Sequence, residues 1–126
     1  MTGCSSSPEG EPDPLAAAIQ EWRACFNEGR YFEAHEVLEG HWLRCRTSER
    51  DFLKGLIHLA VSLHHLEKRN AHGARVKLAS GRRYLEPFGS LHRGLRVAHL
   101  LSAVALTVGE RLAGREAPDP RAEWDG

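Results

Sequence analysis

Residues 52–67 read Phe-Leu-Lys-Gly-Leu-Ile-His-Leu-Ala-Val-Ser-Leu-His-His-Leu-Glu, and this stretch decides the fold class. Its large apolar residues recur at alternating spacings of four and three, which is the period of one face of an α-helix. They are Phe52, Leu56, Leu59, Leu63 and Leu66. Because such a stripe must be buried against other elements, the stretch predicts a central helix with partners on its apolar side.

Four further segments show helical periodicity, and each has its own start or stop signal. Asn70 and Ser90 are expected to cap the last two helices, and Ser48 with Asp51 resembles a capping box at the start of the central one. The five predicted helices begin at Pro14, Tyr31, Glu49, Ala71 and Leu91, and they end near Glu28, Cys45, Arg69, Glu86 and Leu112. Their short connections predict an all-α fold, a compact single-domain bundle of about five antiparallel helices.

The two ends of the chain differ from this middle part in composition. Five of the six prolines lie there, together with a run of serines, and neither end has an apolar stripe. Chain segments of this kind bury too little apolar surface to offset their conformational entropy. The sequence therefore predicts disordered tails at 1–13 and 114–126 around a helical domain at 14–113, and it predicts that removing both tails hardly changes stability.

Charge and cysteine content exclude several functional classes. Seventeen basic residues balance 17 acidic ones, so the chain lacks the net positive charge that favours nucleic-acid binding. No apolar run approaches the length of a membrane span. Cys4, Cys25 and Cys45 are scattered and odd in number, which predicts reduced thiols and a cytoplasmic location.

The second predicted helix carries the main anomaly of the sequence. With successive residues about 100° apart, His35 and Glu39 fall in the middle of an apolar arc about 160° wide. A buried carboxylate costs several kcal/mol unless it is paired, protonated or ligated. His35 lies one helical turn before Glu39, within reach of it. We therefore predict a buried His35–Glu39 pair.

This pair has a structural and a chemical interpretation. In the first, a hydrogen bond between the two side chains fixes how helices pack, in a protein that serves as an interaction or scaffold module. In the second, His35, Glu39 and His64 ligate one divalent metal (Zn, Fe or Mn), and Glu36 is the catalytic base of a hydrolase-like enzyme. His64 is the third ligand because it falls on the inward arc of its helix, whereas His58 falls beside Lys54 and is expected to face solvent.

A third interpretation is a small-ligand binder with an aromatic cavity around the polar pair. The predicted pocket residues are Trp22, Tyr31, Phe32, His35, Glu39, Trp42 and His64. The sequence has no glycine-rich phosphate loop, no Gly-x-Ser-x-Gly elbow and no cysteine in a nucleophile context. Enzymatic activity is therefore left open, and the interaction module leads, with a protein partner or a second copy of the chain as its partner.

Three stretches resemble a known family. Residues 31–42 read Tyr-Phe-Glu-Ala-His-Glu-Val-Leu-Glu-Gly-His-Trp, and residues 52–65 and 70–78 continue the likeness. Together they resemble the bacterial and archaeal family called domain of unknown function 309, over about residues 15 to 100. The resemblance implies a small all-helical domain and supports the His-x-x-x-Glu-x-x-Trp site, but it implies no activity. The chain departs from the family at His58, where members often carry Gln, and at Arg96, where they often carry Asp.

Overall fold

The helices begin largely where their capping residues predict. The computed structural model describes residues 13–124, in which Asp13 Oδ1 accepts from Leu15 N at 3.0 Å and Asn70 Oδ1 accepts from Gly73 N at 2.9 Å. The helices are α1 (Pro14–Asn27), α2 (Tyr31–Arg44), α3 (Glu49–Glu67), α4 (Ala71–Leu85) and α5 (Val97–Leu112), and a short 3₁₀ turn, Glu86–Phe88, follows α4. The predicted all-α, five-helix class is confirmed.

The start of α3 differs in detail from the prediction. Ser48 makes no side-chain capping bond, so the predicted capping box with Asp51 is wrong. Thr47 Oγ1 instead accepts from Glu49 N at 3.2 Å, one residue earlier than expected. The Thr47 hydroxyl, and not that of Ser48, therefore caps the start of α3.

The central helix α3 packs against α2 on one side and α4 on the other. Its stripe is buried at Phe52, Leu56, Leu59 and Leu63, as predicted. The approach of α4 depends on glycine: a Cβ on Gly55 would collide with the Leu85 side chain, and one on Gly81 would lie 2.9 Å from Leu59 Cδ2. The absence of these Cβ atoms lets the two helices lie close together.

The core extends from α3 through α1 and the start of α2. Trp22 stacks on Phe26 with ring centroids 4.7 Å apart, and Phe26 meets Tyr31 edge-on at 5.4 Å. All three rings are fully buried. Within residues 13–124, no helix combines the length and the hydropathy that a bilayer crossing requires.

The predicted start of the last helix at Leu91 is wrong. Residues 91–96 form a hairpin in which β1 (Leu91–His92) pairs antiparallel with β2 (Leu95–Arg96), and α5 begins only at Val97. Arg93 and Gly94 connect the strands with φ of 52° and 79°. Two consecutive residues with positive φ form the tight turn that two-residue hairpins prefer, and glycine adopts that conformation without strain.

The described part of the C-terminal segment is docked on the helices, in contrast to the predicted disorder of 114–126. Ala122 is fully buried, and its backbone N donates to Asn27 Oδ1 at 2.7 Å. Its carbonyl accepts from Arg23 Nε at 2.7 Å and from Asn27 Nδ2 at 3.0 Å. Side chains of α1 thus satisfy the backbone groups of an irregular segment, which composition alone does not reveal. The predicted N-terminal tail lies outside the described residues except for Asp13.

Candidate functional site

The inward face of α2 is narrower than the sequence suggests. Its buried residues are Tyr31, Ala34 and Leu38. The Glu39 side chain is 53% exposed, whereas that of His35 is only 17% exposed. The prediction that Glu39 is buried is therefore wrong. It failed because Phe32, which widened the apolar arc, is itself half exposed, and an apolar side chain is no guarantee of burial.

His35 and Glu39 do meet, but loosely. His35 Nδ1 lies 2.6 Å from the Phe32 carbonyl oxygen, and because a carbonyl only accepts, Nδ1 carries the proton of this bond. The other ring nitrogen, Nε2, lies 3.6 Å from Glu39 Oε1. In the neutral imidazole Nε2 is an acceptor, so the two atoms form an ion pair only when the ring is protonated.

The three residues predicted as metal ligands do not converge. The Phe32 ring lies next to both histidines, with centroid distances of 4.8 Å to His35 and 5.2 Å to His64. In the part of the chain that the structure describes, no group of three His, Cys, Asp or Glu side chains is placed to hold a metal ion. Glu36, predicted as the base, is exposed. The structure thus brings together His35 and Glu39 but not the full ligand set.

The predicted aromatic pocket is also rearranged. Trp22 and Tyr31 belong to the core, where burial, and then the nearby Asp119 carboxylate, raise the pKa of Tyr31. The pair instead opens onto a groove with a volume of about 290 Å³ between α2, α3 and α4. We call it the α2–α4 groove, and it is lined by His35, Glu39, Trp42, Lys54, Ile57, His58, Val61 and Lys77.

Lys54 is held in this groove by aromatic rings. Its Nζ lies 5.1 Å from the centre of the Trp42 ring and 5.0 Å from that of Tyr84, distances at which a cation is attracted to the ring face. Among the described residues, no carboxylate forms an ion pair with Lys54 or with Lys77, which lines the groove from α4. The groove therefore contains two ammonium groups that form no ion pair with a carboxylate of the described residues.

His58 lines the same groove as these two lysines, and the prediction that it faces solvent is wrong. Its Nδ1 is 2.7 Å from Ser80 Oγ of α4, and its ring meets Tyr84 edge-on at 5.6 Å. Burial first, and then the charges of Lys77, Lys54 and Arg83, lower the pKa of His58 to about 4. The imidazole is therefore neutral at neutral pH and adds no charge of its own to the groove.

Trp42 lines the groove with its ring and contains a buried indole donor. Its indole Nε1 is buried and, within residues 13–124, has no hydrogen-bond partner. Arg50 fixes the ring by packing its guanidinium 4.4 Å from the ring centre and donating to the Trp42 carbonyl at 3.0 Å. A buried donor without a partner costs free energy.

One segment of the chain has known relatives. It contains the whole of α2 and α3 and the first residues of α4. Residues 19–76 match the family model described as Domain of unknown function (DUF309). The uncharacterized protein YpuF of Bacillus subtilis (strain 168) is 39% identical over 57 residues, which cover 44% of this chain and 33% of that protein. The chain thus spans about a third of the length of this curated relative, and neither description names a biochemical role. The match to this family model confirms, over residues 19–76, the resemblance to the domain of unknown function 309 family that is seen in the sequence.

Proposed function

We propose that this protein is a small helical binding module, and that the α2–α4 groove holds an anionic group of its ligand. The observation that carries the proposal is the pair of lysines, Lys54 and Lys77, that line one groove without an acidic partner among the described residues. Carboxylate and phosphate groups accept strong, charge-assisted hydrogen bonds from such ammonium groups.

The electrostatics of the groove support an anion. The two lysine charges in one groove repel each other, and an anion bound near both of them replaces this repulsion with attraction. Glu39 is the one carboxylate of the lining, and it lies on α2, whereas Lys77 lies on α4. The neutral His58, which lines the groove together with both lysines, is a further polar group that an anion can contact.

The size of the groove limits the ligand. A volume of about 290 Å³ is at the lower end of small-molecule sites, which span roughly 300–1,000 Å³. A small metabolite fits as a whole, and a larger ligand fits with its charged end only. Ile57 and Val61 supply apolar surface beside the charged groups.

Among the three interpretations of the sequence, this geometry favours the ligand binder, with a revised lining. The hydrolase interpretation lacks its ligand set, because among the described residues no group of three His, Cys, Asp or Glu side chains is placed to hold a metal ion. A scaffold role, with another protein or a second copy of this chain as the partner, remains a proposal. No contact among the described residues identifies that partner. The cytoplasmic location also stays a proposal, supported by the cysteine content.

Two-dimensional NMR tests the proposal directly. Acetate and inorganic phosphate are titrated into the protein at constant ionic strength, while the Trp42 Nε1–H and His58 ring signals are followed. We expect saturable shifts at both groups and an affinity about tenfold weaker in Lys77→Gln, the loss of one charged contact. The matched control, Lys68→Gln, removes an exposed lysine just after α3 that does not line the groove. Shifts that do not saturate, or equal losses in the two variants, would contradict the proposal.

A further inference from the structure

The two outer walls of the α2–α4 groove carry opposite charges that do not meet. Glu39 lines it from α2 and Lys77 from α4, with α3 between them. Among the described residues, the ion-pair contact of Glu39 is to His35 and not to either lysine. Opposite charges in one small groove ordinarily pair with each other, so their separation leaves a gap that a ligand can span.

The α2 side of the groove, formed by His35 and Glu39, presents hydrogen-bond acceptors to a cation. The proton of His35 Nδ1 is committed to the Phe32 carbonyl, at 2.6 Å. In the neutral ring, His35 Nε2 therefore presents a lone pair, 3.6 Å from Glu39 Oε1. Two acceptors this close can both receive hydrogen bonds from one ammonium group, which has three N–H donors.

The floor between the two walls is partly apolar. Ile57 and Val61 line the groove from α3, on the same side of the helix as His58. Methylene groups pack favourably on such side chains, at about 0.8 kcal/mol for each one buried. The floor thus suits a short carbon chain that joins two charged ends.

From this arrangement we infer that the ligand is a zwitterionic amino carboxylate, with its carboxylate at Lys54 and Lys77 and its ammonium at Glu39 and His35. The inference rests on the proposed anion site and adds the cationic end and the apolar spacer. It makes Glu39 a specificity-determining residue, in place of the buried structural residue that the sequence suggested.

A homologous series of ligands tests this inference. The probes are the unbranched amino carboxylates from glycine to 6-aminohexanoate, and each is compared with the plain carboxylate of the same chain length. Binding is measured by NMR at pH 7 and constant ionic strength. We expect one chain length to bind best, about tenfold more tightly than its plain counterpart, because only that length reaches both walls.

Variants of two α2 carboxylates locate the ammonium. Glu39→Gln should remove the advantage of the best amino carboxylate, whereas its plain counterpart should bind at least as tightly as before, because a like charge has left the groove. Glu39→Asp, which draws the carboxylate back by one methylene, should move the optimum to a longer chain. Glu36→Gln, an exposed position on α2 that does not line the groove, should change neither affinity.

The outcomes separate the two proposals. If amino and plain carboxylates bind equally well, or if Glu39→Gln weakens both to the same extent, the zwitterion is wrong and the anion site stands. If neither kind of probe gives a saturable shift at Trp42 and His58, both proposals are wrong.

Discussion

Arg93 Nε donates to Glu49 Oε1 over 2.7 Å, so the turn of the hairpin is tied to the first residue of α3. His92 Nε2 lies 3.0 Å from each oxygen of the same carboxylate. Arg93 Nη1 also lies 3.3 Å from Oδ2 of Asp13, the residue that caps α1. One small charged network thus joins the hairpin to the starts of α1 and α3. It is separate from the α2–α4 groove and has a structural role.

The first prediction concerns the contribution of this network to stability at low pH. Burial by itself would raise the pKa of Glu49, but the hydrogen bonds from His92 and Arg93 outweigh it and hold the pKa below its ordinary value of 4.5. As the pH falls, Glu49 therefore becomes protonated in the unfolded chain before it does so in the folded protein. The stabilisation from Glu49 is present above pH 4.5, and it is lost as the pH falls through the lower pKa that Glu49 has in the folded protein. We expect urea denaturation of the parent protein to show this loss below pH 4.5 and Glu49→Gln to lack it. Parallel stability curves for the two proteins would contradict the assignment.

The second prediction concerns His58 and a different pH window. Its pKa in the folded protein is about 4, below the ordinary value of 6.5, so folding favours the neutral ring. The stability that this ring contributes is complete above pH 6.5 and declines as the pH falls from there towards 4. His58→Gln, which keeps a polar group beside Ser80, should flatten the unfolding free energy over that interval. A ring that titrates near 6.5 by NMR would show that His58 is neither buried nor close to Lys54 and Lys77 as described.

The third prediction concerns the coupling between His35 and Glu39. A buried pair in contact would give more than about 1 kcal/mol in a double-mutant cycle. Because Glu39 is half exposed and 3.6 Å from the ring, we expect no more than about 0.5 kcal/mol, as in exposed pairs one helical turn apart. The cycle uses His35→Ala, Glu39→Ala and the double variant, measured by urea denaturation at pH 7. A coupling well above 1 kcal/mol would mean that Glu39 is buried after all.

The fourth prediction tests the close approach of α3 and α4. A Cβ at Gly55 meets the Leu85 side chain, so Gly55→Ala should destabilise the protein by about 1–3 kcal/mol, as overpacking of a core does. Gly109, which lies in α5 with no atom within 4 Å of an added Cβ, is the matched control. There the same substitution should stabilise by about 0.4–1 kcal/mol, because alanine restricts the unfolded chain. Equal effects at the two positions would rule out a special contact at Gly55.

The fold was predictable where a single helix face determines it. The stripe from Phe52 to Leu63 is buried as its spacing predicts, because four apolar residues on one face leave a helix no other favourable orientation. The hairpin was missed because the residues after Ser90 continue an apolar pattern that also fits a helix. The pair Arg93-Gly94 was the available signal, since residues that adopt positive φ favour a two-residue turn.

The site was predictable only in part, for a different reason. His35, Glu39 and Trp42 were identified from one helix, and all three line the groove. Lys54, His58 and Lys77 were interpreted as parts of solvent-exposed helix faces and not as pocket residues, since their meeting depends on how α4 covers α3. A helical wheel contains no information on neighbouring helices, so it assigned the outer face of α3 to solvent. Gly55 and Gly81 were the one signal in the sequence that another helix packs closely against this face of α3.

The last prediction concerns the docked C-terminal segment. Removing residues 122–126 eliminates the three hydrogen bonds between Ala122 and the side chains of Asn27 and Arg23, the bond from Arg96 N to the Glu123 carbonyl, and the burial of Ala122. At about 1 kcal/mol for each bond, we expect the free energy of unfolding to fall by about 3–4 kcal/mol. Asn27→Ala in the full chain isolates two of the bonds and should cause about half of that loss or more. Removal of residues 1–12 is the control, since it keeps the Asp13 cap and composition predicts little cost. An unchanged unfolding free energy after the C-terminal truncation would show that the segment is not docked in solution, as its composition alone had suggested.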